Sequence, residues 1–191
     1  MSDTPLQPWT VLEEMELLNL GARLMVSRQR VRLPDGREVD DYLRFATQTF
    51  VCIFAVTDAG LVICERHYKH GPGRVILSLP AGAREDREDP MAAAQRELLE
   101  ETGYRSDDWH CLGEALTHAN AGGGRFHMFL ARGCRKVAEP ESGDLEEMRI
   151  EAFSPTRLLQ AAVAGEMPLA SDGGTILRAW QVLGWPMAQT P

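Results

Sequence analysis

Glu97, Glu100 and Glu101 stand at i, i+3 and i+4 of a stretch with helical periodicity, so their carboxylates share one face. Each exposed like-charge pair at this spacing costs only about 0.2–0.5 kcal/mol, and a solvated acidic surface would tolerate the cluster. Its neighbours suggest more. Gly82 and Glu88 precede the helix, Arg96 adjoins Glu97, and Gly103 ends the segment. Clustered carboxylates become favourable when a hard divalent cation neutralises them. Mg2+ prefers oxygen ligands with several retained waters, a shell that a phosphate-containing substrate completes. Arg96 can orient one carboxylate through a charge-assisted hydrogen bond, with Glu88 a further partner.

Positioning these side chains requires a helix over residues 90–102. Asp89 is its N-cap, Pro90 its first residue and Gly103 its C-terminal stop, with Met91, Ala94, Leu98 and Thr102 as the buried stripe. Around it, strand patterns cover residues 24–33 and 39–45, joined by the turn Pro34-Asp35-Gly36. Residues 50–56 and 61–65 form a second strand pair about Asp58-Ala59-Gly60, and residues 75–79 form a short strand that Pro80 terminates. Further strands fall near 110–116, 126–130 and 149–153, a polar loop spans 139–147, and helices cover 155–163 and 175–183. Interspersed strands and helices predict an α/β (α+β) sandwich with a mixed sheet. The N-terminal hairpin is marginal alone and must pack on the rest or on a second copy.

With 20 Lys+Arg against 28 Asp+Glu, the 191-residue chain carries a formal charge of −8. That balance disfavours nucleic-acid and anionic-membrane partners. The longest apolar stretches, 50–56 and 61–64, fall far short of the roughly 20 residues a membrane helix needs. The N-terminus lacks the basic and apolar segments of a secretory signal. Four cysteines without a CxxC pair read as free thiols of a reduced, cytosolic protein. No Ser/His/Asp or Cys/His arrangement has spacing suited to nucleophilic catalysis. Arg66, followed by His67, Tyr68, Lys69 and His70, could hold phosphates or a ribose, or could simply be a solvated hairpin end. Residues 119–125, ending in Arg125, read as a glycine-rich mobile connection at the edge of the site. Trp9, Trp109, Trp180 and Trp185 suit core or interface positions better than base stacking.

Gly82, five residues, Glu88, seven residues, then Arg96-Glu97-Leu98-Leu99-Glu100-Glu101-Thr102-Gly103 resembles the Nudix hydrolase box at every fixed position. Tyr104 stands where the family usually has an aliphatic residue. Pro80-Ala81-Gly82, Arg66, the N-terminal hairpin and Leu145-Glu146-Glu147-Met148-Arg149-Ile150 are similar to the ADP-ribose pyrophosphatase branch. The resemblance implies a Nudix α/β/α sandwich over 47–191, an N-terminal β extension over 1–46 that joins a homodimer, and a small nucleotide substrate. The implied reaction is hydrolysis, with Mg2+ or Mn2+, of a nucleoside diphosphate linked to another moiety. ADP-ribose would give AMP and ribose 5-phosphate. By the same resemblance Glu97 and Glu101 are principal metal ligands, Glu100 a further one and the Ala81 carbonyl a backbone ligand. Glu146 positions water, with Glu147 and Glu141 as rivals. Glu146, Glu100 and Arg96 form the catalytic set, and Arg66, Gly82 and Arg125 meet substrate. Ser78 departs from the branch, which often has Glu there, and no proline follows the box by about 15 residues as it does in many members. Other nucleotide sugars, dinucleotides, nucleoside triphosphates and a nucleotide-sensing module without turnover are the alternatives.

Overall fold

The computed structural model describes residues 5–141, 143 and 147–186. The chain divides into two compact units, one made of the chain up to Gln48 with Leu116–Arg125, the other of Thr49–Ala115 with the chain from Phe126 onward. The division falls two residues beyond the expected boundary at 46 and adds a distant hairpin tip to the N-terminal unit.

In the first unit, β1 (Thr10–Asn19), β2 (Met25–Arg32) and β3 (Glu38–Ala46) form an antiparallel meander. The expected hairpin is β2–β3, and its turn closes by a Gly36 N–H to Leu33 carbonyl bond of 3.0 Å. β1 is an additional strand. Register shifts between Val11 and Glu13 and between Glu16 and Leu18 place bulges in it, which removes the period-two alternation by which a strand is recognised. The glycine-rich tip is tied down: the Phe45 N–H donates to the Ala121 carbonyl at 2.8 Å, and the Tyr42 hydroxyl donates to the Asn120 carbonyl. Thr117 Oγ1 accepts the Gly124 N–H at 2.9 Å. The expected mobile connection thus shrinks to a three-residue turn between two long strands.

The second unit contains β4 (Phe50–Thr57), β5 (Val62–Lys69), β6 (Arg74–Ser78), β7 (Ala81–Ala83), α1 (Pro90–Thr102) and β8 (Tyr104–Arg105). β9 (Asp108–His118) and β10 (Gly122–Lys136) follow, their tip belonging to the first unit, and then β11 (Met148–Phe153), α2 (Pro155–Val163) and α3 (Ala170–Leu183). β4 runs parallel to β10 and antiparallel to β5 and β7, while β5 is flanked by antiparallel β6 and β11. The sheet is therefore mixed. Alternate residues of β4 serve two cores. Val51, Ile53 and Ala55 pack with Ala93, Ala94 and Leu98 of α1, whereas Cys52, Phe54 and Val56 pack with Leu158 and Ala161 of α2 and Ile176, Ala179 and Trp180 of α3. Helices thus cover both faces, as expected. Among the described residues, no helix is long and apolar enough to cross a membrane. All four cysteines are free thiols.

Helix α1 has the expected bounds because its signals are local. The Asp89 carboxylate accepts the N–H groups of Met91 and Ala92 at 2.9 and 3.2 Å. Gly103 adopts φ +73°, and a Cβ there would strike the Ala138 carbonyl. Helix α3 begins at Ala170, five residues before the expected start, since Gly173 and Gly174 hide its first turn from propensity.

In that first turn Asp172 is 1% exposed and its Oδ2 has no hydrogen-bond partner. Burial pushes its pKa up from the ordinary 3.8 to about 7, although the Leu79 N–H bonded to it works the other way. A raised acid pKa means the native state holds the proton more tightly, so this group's stabilising contribution is complete below about pH 4 and declines as pH rises towards about 7. Asp172→Asn should gain stability relative to the wild type as pH increases from 5 to 8. A pair of urea titrations checks this, and a pH-independent difference would refute the assignment.

Candidate functional site

The site starts from a contradiction in α1: two of its carboxylates lie on the buried face. Glu97 and Glu101 are 8% and 6% exposed, alongside Ala94, Leu98 and Thr102, while Met91 of the expected stripe is only partly buried. Glu100 projects further outward, with 44% of its side chain exposed. Opposite them runs the turn from β6 into β7. Asp172 accepts the Leu79 N–H, the Ile53 N–H donates to the Pro80 carbonyl at 2.9 Å, and the Ala81 N–H donates to Glu101 Oε2 at 3.0 Å. Gly82 then passes so close to α1 that a Cβ would collide with the Glu97 carboxylate. Any larger residue would push aside that carboxylate, which Arg96 holds at 2.7 Å.

Arg96 organises the outer carboxylates. Its Nε and Nη2 grip Glu88 at 3.0 and 2.9 Å, Nη1 reaches Glu97 at 2.7 Å and Glu100 at 3.1 Å, and Nη2 also donates to the Ala83 carbonyl at 3.0 Å. These bonds raise the guanidinium pKa further, the Glu88 bond first, and the same contact holds the Glu88 carboxyl below its usual range. A planar fork suits this multidentate task, whereas a lysine point charge does not.

Glu65, on β5, is a site residue that the sequence reading passes over. It is 1% exposed, its carboxyl group lies within hydrogen-bonding reach of that of Glu101, a pair that can bond only when one of the two is protonated, and it sits directly across the β5–β6 ladder from Ser78. Glu101 titrates well above the normal carboxylate range, through burial first, then the charge of Glu65, then that of Glu97, with the Ala81 N–H opposing. An acidic residue ending the apolar run Val62-Ile63-Cys64 is the signal that could reveal it. Ser78 does not face the carboxylates alone, because its hydroxyl pairs with His67 Nε2 at 3.1 Å.

The remaining expectations fall as follows. Arg66 chelates Glu151 at 2.7 and 3.2 Å and reaches Glu166 at 3.3 Å, so its guanidinium is engaged by protein carboxylates. It lines a cleft of about 280 Å³ with His67, Tyr68, Val75, Glu147 and Arg149. His70 is exposed and contacts Tyr68. Arg125 is exposed and belongs to the first unit. Glu146 lies outside the described residues. The Glu141 N–H donates to the Glu100 carbonyl at 2.8 Å, which brings that rival to the C-terminal end of α1. Trp180 packs edge-on against Trp185, Trp109 against Phe129 and, in the first unit, Trp9 against Tyr42, all packing roles.

The donor set of Glu97, Glu100, Glu101 and the Ala81 carbonyl is all oxygen, which fits a hard divalent cation. Like charges gathered around one arginine fit it as well. Among the described residues no group of three or more His, Cys, Asp or Glu side chains is arranged to hold a metal ion by itself. Mg2+ sites commonly combine one or two carboxylates with waters and substrate phosphates. Replacing Arg96 with Lys should strand several acceptors and destabilise the fold by about 2 kcal/mol. Urea denaturation measures this, and an unchanged midpoint would contradict the role given to Arg96.

A family model described as the NUDIX domain matches residues 46–171. The chain is 33% identical over 132 residues to the ADP-ribose pyrophosphatase of Mycobacterium tuberculosis, covering 66% of this chain and 61% of that protein. To the ADP-ribose pyrophosphatase of Bacillus subtilis it is 33% identical over 97 residues, covering 51% and 52%. To the methanol dehydrogenase activator of Bacillus methanolicus it is 30% identical, covering 53% and 58%. The chain thus spans between half and two thirds of the length of these relatives. A solved ADP compounds hydrolase superposes with a TM-score of 0.82 over 95% of this chain and 97% of its own, at 19% identity, which speaks to the fold. With the family model matching residues 46–171 and Glu88, Glu97 and Glu100 gathered around Arg96, the chain belongs to the NUDIX domain family.

Proposed function

We propose that the chain is a Mg2+-dependent pyrophosphohydrolase that cleaves a nucleoside diphosphate linked to a second moiety, with ADP-ribose as the leading substrate and Mn2+ an alternative cation. The observation that carries this reading is the burial of Glu97 and Glu101 beside Glu100 around a single arginine, an arrangement suited to holding a cation. Hydrolases of the family generally use a divalent metal, and two of the relatives are named ADP-ribose pyrophosphatases. When bound, the cation neutralises phosphoryl oxygens and makes a bound water more acidic. Glu97, Glu101, Glu100 and the Ala81 carbonyl would hold it, while Arg96 restrains the carboxylates of Glu97 and Glu100. Glu146 takes the water-positioning role in this reading, with Glu147 and Glu141 as its rivals. Cleaving ADP-ribose yields AMP and ribose 5-phosphate without a covalent enzyme intermediate.

Glu101→Gln and Glu100→Gln should each lower kcat with Mg2+ by about a hundredfold or more while the protein stays folded. Undiminished turnover would end the proposal. Phosphatase-coupled phosphate release across ADP-ribose, GDP-mannose, UDP-glucose, NADH and dNTPs should rank ADP-ribose first by kcat/KM. Binding of ADP-ribose without turnover in either cation would identify a sensor instead. We also propose a homodimer built through the N-terminal strands, which expose Val11, Met15, Leu17, Leu18 and Leu43. Sedimentation should give twice the 21.2 kDa chain mass, and a monomer at micromolar concentration would refute it.

A further inference from the structure

We propose that Glu65 is a positioning residue for the cation site, holding the Glu101 carboxylate from the strand side and thereby strengthening cation binding. The inference rests on the cation-dependent reading above and concerns a residue outside the box.

Successive residues of β5 face opposite sides of the sheet. Ile63 packs in the core beneath α1 with Ala94 and Leu98, whereas Cys64 packs in the core of α2 and α3. Glu65 and His67 therefore face α1, and Arg66 faces the other way, towards Glu151 and Glu166. On the α1 side, β6 lays Ser78 opposite Glu65 and Ile76 opposite His67. The Ser78 hydroxyl pairs with His67, and Glu65 lies beside Glu101. Glu101 is thus clasped between the Ala81 N–H of the β7 turn and Glu65 of β5, while Arg96 serves Glu88, Glu97 and Glu100.

A carboxylate is a poor choice for that place if the fold alone is considered. It sits beneath two buried carboxylates, and neutral residues of similar volume avoid the desolvation and repulsion that a buried charge brings. Its presence makes sense when a cation is the third party. The Glu65 charge then adds to the negative field around the ion, and its buried place beside Glu101 limits where that ligand can lie, as outer partners of metal ligands do elsewhere.

Glu65→Gln keeps the shape, and its amide can donate to Glu101, while the charge is removed, which separates charge from packing. The full chain, wild type and variant, is titrated with Mn2+ alone by calorimetry and melted in the presence of a chelator. The variant should bind Mn2+ at least about tenfold more weakly, and its metal-free Tm should rise by about 2 °C or more. The Mn2+ concentration for half-maximal turnover should shift by the same factor as the binding constant, with substrate KM at saturating Mn2+ unchanged. Glu65→Asp, which restores the charge, should recover part of the Mn2+ affinity. Unaltered Mn2+ affinity, a lower metal-free Tm or failure to fold would each overturn the proposal, because a merely structural Glu65 predicts them. Wild-type chain that binds Mn2+ yet cleaves no nucleotide would overturn the hydrolase reading alone; wild-type chain that takes up no Mn2+ would overturn both.

Discussion

Mutual repulsion among buried carboxylates is the constraint to which the second unit answers. Glu97 and Glu101 lie on the inner face of α1, with Glu65 beneath them and Glu100 at the rim. Apolar packing cannot draw such groups together, since each loses hydration and gains a like-charged neighbour. The chain offsets part of this with Arg96, and part with the backbone N–H of Ala81. The rest is met by a proton, which is why Glu101 titrates so far above the ordinary carboxylate range, and the place is one where positive charge is favoured.

Holding those groups against their repulsion requires a stiff frame. Helix α1 is fixed at both ends, by the Asp89 cap and by the left-handed Gly103, so its carboxylates cannot move apart by fraying. Its apolar side is anchored by Ala93, Ala94 and Leu98 on β4. The turn facing it is pinned through Leu79, Pro80 and Ala81 to three different elements, α3, β4 and α1. Two of the groups involved, Asp172 and Glu101, are themselves buried acids with raised pKa values. Stability is therefore lowered at the site and supplied elsewhere, by the two apolar cores that share β4.

The parts of this arrangement that are legible in the sequence are those written in adjacent residues. The cap, the first-turn proline, the C-terminal glycine and the i, i+3, i+4 glutamates all act within one helix, and α1 appears with the expected bounds. β1 is hidden because its bulges erase the alternation, and the start of α3 because two glycines weaken the helical signal. The partners of Arg66 are hidden for a different reason: Glu151 and Glu166 lie 85 and 100 residues along the chain. A basic residue near a box looks the same in sequence whether it awaits substrate or is already bound by protein carboxylates.

Glu65 and Arg66 together mark where sequence reasoning meets its limit. They are neighbours of opposite charge, and a reader of the sequence would pair them or assign both to the same surface. A strand forbids that, because the peptide plane turns each side chain to the face opposite its neighbour. Arg66 consequently lies with Glu151 and Glu166 and offers Glu65 no direct partner across the sheet, while Glu65 meets Glu101 on the other side. A single-residue slip of β5 would exchange them, neutralising the carboxylates of α1 with an arginine. The register of β5 against β6, with Glu65 opposite Ser78 and Arg66 opposite Leu77, therefore decides the electrostatic character of the site as directly as the glutamates of the helix do.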